Sequence, residues 1–102
     1  MKMRLLTLLL SASLLNADNS NAVSKASAAL KAGLFKDALE HISIAQEENP
    51  KNADIYRMKA LLHEALDQPK KALESWKACL EYSRDKNMRR EAKVHINNLT
   101  AE

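Results

Sequence analysis

The feature that most constrains this chain is a recurrence: displaced by 34 residues, the sequence falls on itself. Ala26 meets Ala60, Ala38 meets Ala72, Leu39 meets Leu73, Ile42 meets Trp76 and Ala45 meets Cys79, each pair matched in size class. A fixed period of this length marks a stack of supersecondary units, none of which can bury its apolar face alone. Two segments of helical length fit within each period, parted at Gly33-Leu34 and at Asp67-Gln68-Pro69. Asn49-Pro50-Lys51-Asn52 joins one period to the next. Glycine suits the C-terminal stop of a helix and proline its first turn. One Gly and two Pro in 102 residues leave little material for hairpins or long loops, so the expectation is a single all-α domain.

The apolar spacing agrees with that order. Phe35, Ala38, Leu39, Ile42 and Ala45 form one helical stripe, and Ala72, Leu73, Trp76, Cys79 and Leu80 form another. Between them, Ile55, Tyr56, Met58, Ala60, Leu61, Leu62, Ala65 and Leu66 spread around the helix, which suits a central element touched from several sides. The register then slips by two residues. Tyr56, Ala60 and His63 align with Met88, Ala92 and His95 at a shift of 32, which places a fifth helix at 86–99. Met88, Ala92, Ile96 and Leu99 share one of its faces, and Arg89, Arg90, Lys93 and Asn97 supply a wet side, as a terminal capping helix requires.

These residues resemble the tetratricopeptide repeat, a helix-turn-helix unit of the same length. Gly33, Phe35, Ala38, Ile42, Ala45 and Pro50 stand where that family places its turn glycine, aromatic, small, large apolar, second small and closing proline residues. In the second unit Tyr56, Ala60, Ala72, Trp76 and Cys79 fit, Asp67 replaces the glycine and no proline closes the repeat. The first helix departs from the pattern, with Ala22, Ala26 and Ala29 where bulkier residues are usual. The resemblance covers about 80 residues. It implies two repeat-like hairpins, 19–52 and 53–85, and a capping helix at 86–99, together a short α-solenoid.

The N-terminus reads differently. Met1-Lys2-Met3-Arg4 precedes the apolar run Leu5 to Leu15, the layout of a secretory signal peptide over residues 1–17. The run is about half the ~20 residues a membrane-spanning helix needs, so no permanent membrane anchor is expected. Small residues permit cleavage after Ala17, which leaves the helix-capping residues Asp18, Asn19, Ser20 and Asn21 in place, or alternatively after Ala22. An exported protein, periplasmic or secreted, follows, with a bacterial source suggested by the short leucine-rich leader. Asn98-Leu99-Thr100 is a glycosylation sequon that has meaning only in a eukaryotic secretory pathway.

Removing Lys2 and Arg4 reduces the net charge from +3 to +1, which gives no global case for nucleic-acid binding. Catalytic and metal-binding patterns are missing from the sequence. His41, His63 and His95 make no paired metal motif, and one Gly cannot build a phosphate-binding or nucleotide loop. No enzyme activity and no cofactor are expected. His63 and His95 occupy equivalent positions, where packing is the simpler role. Cys79 fills a place for a small buried residue, with an intermolecular disulfide as the open alternative.

The function expected is therefore protein–protein interaction or scaffolding. Carried over from the family, a groove for a peptide or partner helix would be lined by Val23, Ser27 and Leu30, then Arg57, Leu61 and Glu64, then Lys86, Arg89, Arg90 and Lys93. Lys86 and Arg90 match the fifth-helix pair of a carboxylate-clamping variant, whereas Val23, Ser27 and Met58 do not match its other positions. The cations favour a partner with acidic segments. The other expectation is a structural subunit that self-associates or docks into a larger envelope assembly, because repeat arrays commonly need about three units.

Overall fold

A computed structural model describes residues 21–101, and the expected signal peptide lies outside the described residues. Five helices follow one another there: α1 (Ala22–Lys31), α2 (Phe35–Glu48), α3 (Ala53–Ala65), α4 (Pro69–Tyr82) and α5 (Lys86–Thr100). Each packs chiefly against the next, so the domain is an all-α succession of antiparallel helices. Among the described residues, no helix is long and apolar enough to cross a membrane.

The 34-residue period is written into the backbone at the turns. The Leu34 amide donates to the Ala29 carbonyl, and one period later Gln68 donates to His63, both at 2.8 Å. Gly33 to Leu30 (3.1 Å) is matched by Asp67 to Glu64 (3.0 Å), and Asn49 to Ala45 by Ser83 to Cys79, both 2.9 Å. Gly33 and Asp67 carry the left-handed backbone that lets each helix close in this way. Pro69 then opens α4 at the position where a missing N–H loses nothing.

The starts of α3 and α5 are fixed by side-chain caps. Asn52 and Asp85 cap α3 and α5 with side-chain oxygens, accepting from the amides of Asp54 (2.9 Å) and Met88 (2.8 Å). Asn21 is the N-cap of α1, yet its side chain makes no capping hydrogen bond; its backbone is already helical, which points the side chain away from the free amides. Between the hairpins, the Tyr56 hydroxyl donates to the Pro50 carbonyl at 2.6 Å, and its ring stacks on Tyr82 with centroids 5.6 Å apart.

Burial follows the same period. Ala26 and Ala60, Ala38 and Ala72, and Ile42 and Trp76 are all fully buried, and Ala45 and Cys79 are nearly or fully so. Small residues let the helices approach, and Ile42 and Trp76 fill the space between them. Two clusters result. Ile42, Ile55 and Leu62 fill the first, and Trp76, Cys79 and Ala92 the second. The third helix serves both, through Ile55 and Leu62 on one side and Ala60 on the other, as its spread of apolar residues implied. Cys79 is buried as a free thiol.

Candidate functional site

The first helix of each hairpin and the terminal helix, α1, α3 and α5, carry the residues singled out as a binding face. On α3, Arg57, Leu61 and Glu64 recur at helical spacing and are all half-buried. Arg57 reaches α5, where its Nε bonds Glu91 Oε1 and its Nη2 donates to Glu91 Oε2 at 3.0 Å. This two-pronged pair holds the guanidinium up and the carboxyl down in pKa, in each case first through their mutual hydrogen bond.

About two turns further along, Glu64 also turns inward. Its Oε2 accepts from the indole N–H of Trp76 at 3.2 Å, and His95 Nδ1 lies across both carboxylate oxygens, 3.0 Å from Oε2 and 3.1 Å from Oε1. The His95 ring lies almost flat on Trp76, with centroids 4.2 Å apart. Glu64 thus joins α3, α4 and α5 at one point.

The four cations of α5 divide. Arg89 is half-buried and points at α4, its Nη1 donating to the carbonyls of Leu80 and, at 3.1 Å, Ser83. It satisfies carbonyls at the free end of α4. Lys86, Arg90 and Lys93 are exposed. Because Glu91 and His95 face α3 and Arg89 faces α4, helical geometry places those three on the remaining, outward side. The structure therefore brings Arg57, Leu61 and Glu64 to the face shared with α5, and sets Lys86, Arg89, Arg90 and Lys93 apart from them.

The residues that complete this face on α5 are Glu91 and His95, which sequence reasoning did not assign to it. A signal existed for Glu91: it stands one full period from Arg57, with the opposite charge. Beside that pair an open cleft of about 340 Å³ is lined by Asp54, Arg57, Asp85, Asn87, Met88 and Glu91. The size sits at the lower end for small-ligand pockets, ~300–1,000 Å³, but those are mostly apolar and enclosing, and this one is neither. Its groups suit polar contact with an extended chain. Among the described residues, no three His, Cys, Asp or Glu side chains converge as a metal-binding set would.

Comparison with known protein families, with curated proteins and with solved structures yields no match.

Proposed function

We propose that this chain is a small exported array of tetratricopeptide type, whose α1–α3–α5 face binds an extended segment of a partner protein. The observation that carries the reading is the recurrence, at 34 residues, of the turn hydrogen bonds together with the fully buried small and large residues. A repeating hairpin leaves one helix of each unit on a continuous surface, the usual use of such stacks. Val23 on α1, 39% exposed, and half-buried Leu61 on α3 offer apolar contact on that surface, and Arg57 and Glu91 offer polar contact. The pre-formed ion pair lowers the ordering needed on binding. Export rests on the leader at residues 1–17. Cleavage after Ala17 is favoured over Ala22, since Ala22 is 2% exposed and belongs to the first core cluster.

The test is a photo-crosslinking amino acid at Leu61 or, as control, at exposed Lys77 on α4, introduced in the native host. A partner captured from Leu61 and not from Lys77, whose peptide then loses about tenfold or more in affinity on Arg57→Glu, supports the reading. Equal capture from both positions refutes it.

A further inference from the structure

Two outward faces, on α2 and α5, oppose each other in charge. On α2, Gln46 accepts from Lys59 of α3 at 2.8 Å, which fixes the side of α2 that looks inward along the stack. Asp37, Glu40, Ile44 and Glu47 follow at three- and four-residue steps on the side away from it, and all four are exposed. The helix carries four carboxylates against one lysine, Lys36. At the other end, Lys86, Arg90 and Lys93 occupy the outward side of α5, with exposed Val94 at its edge. That helix carries four cations against the single carboxylate of Glu91, which Arg57 already holds.

Each face also exposes one β-branched residue, Ile44 at 46% within the acidic stripe and Val94 at 51% beside the basic one. Among the described residues, none of Asp37, Glu40, Glu47, Lys86, Arg90 or Lys93 lies within ion-pair distance of an opposite charge. Lys25 and Lys31 of α1 are also exposed near the acidic end and weaken its field without cancelling the α2 stripe.

We infer that these faces bind each other between molecules: α5 of one copy docks on α2 of the next, with Lys86, Arg90 and Lys93 against Asp37, Glu40 and Glu47. The partner is a second copy of this chain because a surface of opposite charge, with an exposed apolar residue of its own, is present on it. The contact joins two different patches, so it is heterologous and propagates head to tail. One helix on one helix is a small interface, so association is weak and sensitive to salt. The inference is independent of groove binding, which uses the other side of α5.

The experiment is sedimentation velocity on protein purified from cells expressing the full chain, with Glu40→Lys/Glu47→Lys and Arg90→Glu/Lys93→Glu variants and circular dichroism to confirm folding. The wild type is expected to gain mass with concentration, and its apparent Kd to rise about tenfold or more between ~20 and ~300 mM salt. Each paired reversal alone is expected to abolish association, and an equimolar mixture of the two variants to restore it. A wild type that stays monomeric overturns the inference. So does a mixture that fails to associate while both variants are folded. Binding of poly-glutamate to a monomeric wild type, lost in Arg90→Glu/Lys93→Glu, would assign the α5 face to a different acidic partner.

Discussion

Gly33 and Asp67 hold the same left-handed backbone position, with φ +78° and +56°, at equivalent points of the two helix turns. A Cβ added at Gly33 would meet nothing within 4 Å, so any penalty there comes from the backbone alone. The left-handed region costs an ordinary L-residue ~1–2 kcal/mol, partly offset by the lower unfolded-state entropy of a non-glycine. Gly33→Ala is therefore expected to lose about 1 kcal/mol, while Asp67→Gly changes stability by no more than ~0.5 kcal/mol, since aspartate tolerates this region. Urea melts of both variants check the pair. Equal and large losses at the two sites would contradict the equivalence of the turns.

Ala72 and Trp76 are fully buried on the same face of α4, where a small residue sets the approach of the helices and a large one fills the gap. Enlarging Ala72, or its counterpart Ala38, to Leu should destabilise by about 1–3 kcal/mol through overpacking. Trp76→Ala should lose about 3–5 kcal/mol, since it leaves a cavity, takes the indole N–H from Glu64 and removes the surface on which His95 rests. Trp76→Phe keeps most of the ring and should lose less. Thermal melts in which Ala72→Leu is neutral would count against close helix approach at this position.

What the sequence revealed of this fold, and what it hid, has a physical cause. The Ala38/Ala72 and Ile42/Trp76 pairs were legible because tight packing restricts residue size at every period, and size can be read from letters. The fifth helix was legible for the same reason: Ala92 is the small residue it buries. The rotation of its charged residues was not. A run such as Arg89-Arg90-Glu91 places neighbours about 100° apart around the helix, so adjacent residues serve different elements. Arg89 closes α4, Arg90 faces outward and Glu91 meets Arg57. The shift of 32 that aligns Ala92 with Ala60 also aligns Arg89 with Arg57, and this hid the partner that stands at 34. Hydrogen bonds from a side chain to a distant carbonyl leave no pattern in residue type, which is why the role of Arg89 emerges only from geometry.

Cys79 is expected to be chemically silent in the folded protein. It is fully buried, and burial pushes its thiol up to about 11, so the reactive thiolate is scarce at neutral pH. Alkylation near pH 8 should be slow, and should accelerate as denaturant opens the second core cluster. Linkage gives a second consequence. The unfolded thiol ionises near ~8.5, before the folded one, so this group's stabilising contribution is lost as pH rises from there towards the native value. Rapid native labelling, at the rate of the unfolded chain, would contradict the burial.

The Arg57–Glu91 pair should show itself on the acid side. Glu91 is held below its ordinary value of 4.5 chiefly by its hydrogen bond to Arg57, so near and below that pH the unfolded chain binds the proton first. Its stabilising contribution is fully present above 4.5 and disappears as pH falls through the native value. Both side chains keep a third or more of their surface in water, 40% and 33%, so solvent screening limits the pair to about 0.5–1 kcal/mol. Glu91→Gln should therefore weaken the protein by that amount at pH 7, and the deficit should shrink as pH falls through the lowered native value of Glu91, below which both carry a neutral group at this position. A double-mutant cycle with Arg57→Gln separates the coupling from the effect of losing either side chain. Because Glu91 and His95 fasten α5 to α3 at two points, the variant should also loosen the terminal helix locally. Hydrogen exchange at α5 amides should then rise more than at α3. A uniform rise across the domain, or a Glu91→Gln deficit that persists unchanged to pH ~2, would show that the pair does not act as the clasp its geometry describes.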